Sequence, residues 1–393
     1  MASLPERATH RQTRAFNQQL VLRAIYDRHS VSRAEVARVT GLTRTSVSEL
    51  VNDLLEEHLI EEVGRGPSTG GKAPILLRVR ADGRHLIGLD LGEEAFYGAV
   101  VDLRGNIIKR QSVALAGQDG DAAAELVLTL IESLINGNGT SPLLGIGVGA
   151  PGLIDTRAGT VRWAVNLAWE NVPLGGMIEK RFGVPAVIAN DSQAAAVAEL
   201  TFGKEPGSEP RPGNLIVVRV GRGIGAGIIL NGQLVHGDGS GAGEIGHMTL
   251  GDGLELCRCG RTGCLETMAS MRAMVAAAGR LVPSVTDDAT LVEALRAGDY
   301  NVRQVVADAG ALLGTAIAAM VATVNINHVL LVGPAVALGD EWLDAIRRRA
   351  TDSTLPLLAS GMRIELGAGH DDVVMLGASA LLMTHELGLS LAR

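Results

Sequence analysis

The chain reads as an α/β protein in two parts, a small helical head and a larger body of two similar lobes. Three observations carry that reading. Residues 1–80 hold 12 Lys and Arg against 9 Asp and Glu, whereas the remainder holds 23 against 34, so a basic head precedes an acidic body. A hairpin-rich apolar pattern ending in a glycine loop occurs after residue 85 and again after residue 214. All three cysteines fall within eight positions, Cys257 to Cys264, and His247 lies ten residues ahead of them.

In the head, apolar residues at Phe16, Leu20, Val21, Ala24 and Ile25 follow the helical period, predicting a helix over 15–29. Ser32-Arg33-Ala34-Glu35 has the form of a capping box and starts a short second helix. Thr40-Gly41-Leu42 breaks it, and Thr43 caps a third helix to about His58 with Val47, Leu50, Val51, Leu54 and Leu55 on its apolar face. Two strands follow, 59–63 and 75–79, joined by a loop rich in glycine with Arg65 and Lys72. That succession is a winged helix-turn-helix, bounded at residues 1–82. Its DNA-binding candidates are Arg44, Thr45 and Ser48 at the start of the third helix, together with Arg33, and Arg65 and Lys72 on the wing. An arginine there suits guanine, and wing cations suit phosphate or the minor groove. The alternative is a helical protein-binding module with merely solvated arginines.

The body, residues 83–393, opens with strands at 86–92, 97–102 and 107–113, a helix over 121–135 and a further strand at 143–148. The pattern returns at 215–220, then after the glycine loop 221–227 at 228–230 and 233–235, followed by a helix at 310–325 and a strand at 329–332. The repetition predicts a duplicated, two-lobed actin-like fold with a cleft between lobes. Lobe one is set at about 83–192 plus the C-terminal helix, and lobe two at about 193–370.

His247, Cys257, Cys259 and Cys264 form a Cys₃His set suited to tetrahedral zinc, and Gly260 and Gly263 permit the tight turn that aims the thiolates at one point. With four protein donors the zinc is structural, a knuckle that holds the flanking Glu244 and Glu266 in position. Clustered cysteines argue for a metal rather than disulfides, and hence for a reducing cytoplasm. No run of 18 or more apolar residues and no apolar segment near the N-terminus appears, which predicts neither a membrane span nor a secretory signal.

Several motifs now coincide in order: Gly147-Val148-Gly149-Ala150-Pro151-Gly152-Leu153-Ile154-Asp155, Asn166-Leu167-Ala168-Trp169, Ala189-Asn190-Asp191, and the Glu244–Glu266 stretch with its cysteines. The chain resembles the ROK family of sugar-responsive repressors and sugar kinases, whose body is of the ribonuclease H-like, sugar-kinase-like kind. The resemblance implies that Asn190 and Asp191 hydrogen-bond sugar hydroxyls, and that Asp191 is the general base if the chain is a kinase. It implies that Glu244, Glu266 and His247 contact the other end of the ring, with His247 holding zinc through one nitrogen and facing the ligand with the other. Asn166 belongs to the same sugar-binding set. A second role for Asp191 is local, as the N-cap of a helix over 192–200.

Departures from the kinase pattern decide between branches. The first phosphate loop, in kinases resembling Asp-x-Gly-Gly-Thr-Lys, reads Asp90-Leu91-Gly92-Glu93-Glu94, and two carboxylates there repel a triphosphate. Arg222 replaces the threonine of the second loop, where it partly compensates by facing phosphate, and Pro334 removes a backbone donor from the adenosine-side loop. The expected function is a cytoplasmic transcriptional repressor that binds operator DNA, a sugar or sugar phosphate, and itself as a homodimer or homotetramer. Catalysis and ATP with Mg²⁺ are not expected; the alternative is an ATP-dependent sugar kinase with an attached head.

Overall fold

The computed structural model describes residues 10–28, 30–67, 73–136, 141–203, 213–251, 255–367 and 372–389. The head comprises helix α1 (His10–Tyr26), strand β1 (Val31–Ser32), helices α2 (Arg33–Thr40) and α3 (Arg44–Glu56), and strands β2 (Ile60–Arg65) and β3 (Ile75–Val79). Polar residues set the helix starts. Ser32 Oγ accepts from the Glu35 amide at 3.3 Å, and Thr43 Oγ1 accepts from the Ser46 amide at 3.2 Å. Only half of the expected capping box forms, because the Glu35 carboxylate turns to Arg38 at 3.3 Å. Gly41 ends α2 with φ +70°, the left-handed conformation that glycine adopts without strain. Val47, Leu50, Val51 and Leu54 are buried as their spacing predicts, and Leu55 is partly so. Phe16 departs from expectation: it is 64% exposed, because the inward face of α1 lies in its C-terminal half at Val21, Leu22 and Ile25. The two-residue β1, unforeseen, pairs with β3 and gives a sheet ordered β1-β3-β2.

The first lobe runs through β4 (His85–Leu91), β5 (Ala95–Asp102), β6 (Ile107–Ala114), α4 (Gly120–Ile135), β7 (Leu143–Ala150), β8 (Leu153–Asp155), β9 (Thr160–Ala164), β10 (Trp169–Val172), α5 (Leu174–Phe182) and β11 (Ala186–Asn190). Helix α6 (Asp191–Phe202) leads out of it. The second lobe contains β12 (Leu215–Val220), β13 (Ile224–Leu230), β14 (Gln233–Leu234), α7 (Glu266–Ala269), α8 (Met271–Leu281), α9 (Asp288–Arg296), α10 (Tyr300–Val324), β15 (His328–Val332), α11 (Gly339–Asp352), α12 (Pro356–Ala359) and β16 (Arg363–Leu366). Helix α13 (Val373–Leu387) then returns to the first lobe, packing on β4, β7 and α6.

The sheets are ordered β11-β7-β4-β5-β6 and β14-β13-β12-β15-β16. In each, an antiparallel meander gives its first strand to a parallel partner, which pairs in parallel with the last strand. The repeated hairpin pattern is therefore a repeated topology. The small sheet β10-β9-β8, also unforeseen, begins at the end of the motif that starts at Gly147, with β8 at Leu153–Asp155. Helix α10 is long and apolar enough to cross a membrane, but its apolar face is core: Val302, Val306, Leu313, Ile317 and Val321 are buried, and α10 packs on α8 and α11.

Missing side chains let the two central helices approach. A Cβ on Gly377 of α13 would lie 1.8 Å from the Ala194 carbonyl oxygen on α6, and one on Gly147 of β7 would lie 2.1 Å from the Ala378 carbonyl oxygen. The head shares a core with the first lobe. Val21, Ile25, Leu54, Leu59 and Val79 cluster with Leu86, Leu103, Leu382, Met383 and Leu389. Arg104 of the β5–β6 turn donates to the Tyr26 carbonyl at 2.9 Å and lies 4.3 Å over its ring, while Arg84 Nη1 donates to the Glu57 carbonyl at 3.1 Å. Burial raises the Tyr26 phenol to about 12.

Candidate functional site

Strand ends and helix starts from both lobes meet at one cleft of about 1520 Å³, lined by Asp90, Asn166, Asn190, Asp191, Arg219, Glu244, His247 and Glu266 among others. All six residues expected to meet a sugar are thus together. Asn190 ends β11, with φ −65° and ψ 142°, and caps α6: its Oδ1 accepts from the amides of Ser192 at 2.9 Å and Gln193 at 3.2 Å. Its Nδ2 donates to the Gly152 carbonyl at 3.1 Å and to Glu244 Oε1 at 3.4 Å. The local role anticipated for Asp191 therefore belongs to Asn190. Both have capping side chains, but Asn190 carries the extended backbone and Asp191 is the first helical residue.

Asp191 has another partner. Its Oδ2 accepts from Arg219 Nη1 at 2.8 Å, Arg219 Nη2 lies 3.7 Å from Asp90 Oδ2, and Asp191 Oδ1 accepts from the Ser192 amide at 2.6 Å. Arg219 was missed at the sequence level, although a lone cation in the apolar run Leu215–Val220 was the signal. In the largely buried group Asp90–Arg219–Asp191 the Asp191 carboxylate is paired with a guanidinium. Burial, and then the Asp191 charge, push the Asp90 carboxyl up to about 6 against the pull of Arg219. A raised pKa means that folding favours the neutral acid. The stability it contributes is complete below pH ~4 and is lost as pH rises through ~6. Asp90→Asn is expected to flatten that loss, raising the melting temperature relative to wild type at pH 7.5 but not at pH 4.5. Equal differences at both pH values would show that Asp90 titrates normally.

Glu244 and Glu266 come from opposite sides of the cysteine stretch. Glu266 Oε2 accepts from the Ile224 amide at 3.2 Å, and a Cβ on Gly223 would lie 2.7 Å from that oxygen, so the glycine loop leaves space for the carboxylate. Burial, with the Asp191 and Glu266 charges, raises the Glu244 carboxyl to about 7. These groups, with Asn190, set carboxyl and amide side chains next to one another, a polar lining that suits vicinal hydroxyls.

The ligand atoms of His247, Cys257, Cys259 and Cys264 all lie within 4.8 Å of one another. Cys257 Sγ is 3.5 Å from His247 Nδ1, and Cys259 Sγ is 3.6 Å from Cys264 Sγ. A tetrahedron with zinc–sulfur bonds of ~2.3 Å has sulfur–sulfur edges of roughly 3.8 Å, so both the donor set and its spacing fit that metal. With Nδ1 turned to the thiols, His247 Nε2 faces Glu244 Oε2 at 3.9 Å.

The loops expected to meet nucleotide phosphates are occupied by one another. Arg222 lines the cleft with its guanidinium paired: Nε donates to Glu93 Oε2 at 2.9 Å and Nη1 to Glu94 Oε1 at 2.5 Å. Opposite charges brought within hydrogen-bond distance pair before either can compensate for a ligand. In the head, Arg44 and Thr45 are exposed at the start of α3, and Ser48 is half-buried with its hydroxyl on the Arg44 carbonyl at 2.9 Å. Arg65 is exposed at the end of β2, whereas Arg33 is held by Glu62 at 3.0 Å. Lys72 lies outside the described residues.

Residues 86–385 match the ROK family profile. The chain belongs to the ROK family. It is 31% identical over 394 residues to a xylose repressor of Caldicellulosiruptor bescii, covering 96% of this chain and 98% of the relative. Among solved structures, a ROK family transcriptional regulator described as a homologue of the E. coli MLC protein shares the fold, with TM-score 0.83, 24% identity and coverage of 96% and 98%. A ROK family glucokinase from Streptomyces griseus, in complex with glucose and AMPPNP, aligns at TM-score 0.66 and 27% identity, covering 76% of this chain and 98% of that one. The ROK body here thus resembles those of both repressors and kinases, and of these three relatives the two that span the whole chain are regulators.

Proposed function

We propose that this ROK protein is a sugar-responsive transcriptional repressor whose cleft binds a sugar and whose head binds operator DNA. The observation that carries this reading is the pairing of Arg222 with Glu93 and Glu94: the carbohydrate-facing groups converge while the phosphate-facing loops pair with each other. The full-length likeness to a xylose repressor supports it. The kinase alternative retains Asp191, yet Arg219 holds that carboxylate.

In this reading residues 1–82 are the winged helix-turn-helix and 83–393 the sugar-binding body, working in the cytoplasm as a homodimer or homotetramer on a two-fold operator. His247, Cys257, Cys259 and Cys264 hold structural zinc, which supplies a rigid anchor for the loops carrying Glu244 and Glu266. Asn166, Asn190, Asp191, Glu244, His247 and Glu266 bind the ring. Arg44, Thr45 and Ser48 read bases, and Arg65 and Lys72 track phosphate, with Arg33 bracing the hairpin through Glu62. Sugar selects one lobe arrangement and shifts operator affinity by roughly 1–3 kcal/mol.

The test is a thermal melt of the metal-loaded protein against a sugar panel, with and without Mg-ATP. A saturable rise with one sugar and none with ATP fits the repressor; an ATP shift that grows with sugar, and turnover abolished by Asp191→Asn, would make it a kinase. In the head, Arg44→Ala is expected to weaken operator binding by about 1–3 kcal/mol in a fluorescence-anisotropy titration, without moving the melting temperature. Unchanged affinity for the operator would remove Arg44 from the DNA interface.

A further inference from the structure

The charge that the cleft accepts is legible where its two lobes meet. Glu93, in the β4–β5 turn of the first lobe, is surrounded by three guanidiniums from three separate elements of the second. Arg222 of the β12–β13 turn donates to Glu93 Oε2 at 2.9 Å. Arg258, between Cys257 and Cys259, makes a short contact to Oε1, and Arg272 of α8 lies 3.8 Å from that same oxygen. Although it stands in a hairpin turn, the Glu93 side chain is only 20% exposed. Guanidiniums that converge from several elements on one point are how proteins hold phosphate oxygens. Here the chain supplies the anion itself.

The remaining cations are also taken. Glu94 holds the other end of Arg222 at 2.5 Å, and Glu266 holds Arg272 at 3.5 Å. Among the described residues lining the cleft there are eight carboxylates and four guanidiniums, and every one of those guanidiniums has a carboxylate partner. A phosphate dianion entering the cleft finds no unpaired cation and an excess of negative charge. An uncharged polyol brings no charge for those carboxylates to repel.

We propose that Glu93 is a built-in substitute for bound phosphate, and that it restricts the ligand of this cleft to an unphosphorylated, uncharged sugar. The proposal rests on the sugar-sensing reading above and narrows its ligand class. Glu93→Gln keeps the shape, removes the charge and takes the carboxylate from Arg258, while Arg222 and Arg272 keep Glu94 and Glu266 beside them. The experiment measures binding to the full-length, metal-loaded protein by calorimetry and thermal melt, using neutral pentoses and hexoses, their phosphates, and inorganic phosphate.

Wild type is expected to respond to a neutral sugar, with the matching sugar phosphate weaker by about 100-fold or more and inorganic phosphate without effect. Glu93→Gln is expected to be stabilised by millimolar inorganic phosphate. Preferred binding of a sugar phosphate by wild type would overturn the proposal while leaving the sugar sensor standing. A folded Glu93→Gln protein with no gain of phosphate binding would also overturn it. If that variant does not fold, the wild-type preference between sugar and sugar phosphate decides alone. Silence of wild type toward both would overturn the sugar-sensing reading, and this one with it.

Discussion

Gly377→Ala is expected to be among the most destabilising single substitutions in the body, because the added methyl has nowhere to go. Its Cβ would stand 1.8 Å from the Ala194 carbonyl oxygen and 2.4 Å from the Ala194 carbonyl carbon. Those atoms are backbone of α6, so relief requires moving a helix and not a rotamer. Alanine gains about 1 kcal/mol in intrinsic helix propensity, but overpacking costs about 1–3 kcal/mol, and a clash with backbone belongs at the upper end, so the clash wins. The cleft is expected to suffer as well, since Val373, Val374 and Met375 at the start of α13 line it. Gly176→Ala in α5 is the control: nothing lies within 4 Å of its added Cβ, so stability should hold or rise slightly. Thermal melts of the two variants check the pair. A Gly377→Ala protein that melts within a degree of wild type would mean that α6 and α13 are less closely packed than described.

On the proposed structural-zinc reading, Cys257→Ser is expected to lower zinc content, melting temperature and sugar response together. Cys257 is buried, 3.5 Å from His247 Nδ1, and serine is a poor replacement for a thiolate ligand. Structural zinc binding in small peptides is worth about 10–16 kcal/mol, so losing even part of it outweighs any surface effect. The sugar response should go too, because His247 and Glu266 are both fixed from this stretch: the Leu265 amide donates to the Met248 carbonyl at 2.9 Å, bracing one arm against the other. Metal content by mass spectrometry or elemental analysis, melting temperature and sugar titration are the three readouts. Retained zinc with an unchanged melt would eliminate the knuckle as a structural element.

What was legible in the sequence was local or repeated. Ser32 and Thr43 announced two helix starts because a short polar side chain before an apolar stripe satisfies the free amides within three residues. The Cys₃His set was legible because its donors sit close in sequence. The duplicated sheet showed through because each meander prints the same alternation twice. Long-range pairing was not legible. Arg219 stands 28 residues from Asp191 and Arg222 stands 129 from Glu93, and nothing nearby in sequence says which carboxylate a guanidinium will find. That is why Arg222 was expected to face a phosphate and instead holds Glu93. Phe16 was misplaced for a related reason: a helical period marks a face, but only the packing partner decides how far along the helix that face is covered.

The core shared by head and body limits how portable the head can be. Cut at the natural-looking boundary after residue 82, a grafted head would leave behind Leu86, Leu103, Leu382 and Met383, which belong to its apolar cluster, and Arg104, which donates to the last carbonyl of α1. A chimera that borrows only residues 1–82 should therefore stick to itself or melt early. One that also carries the β5–β6 turn and the last turns of α13 takes its own seal with it. In this chain the unit of exchange is the head together with the surface it rests on.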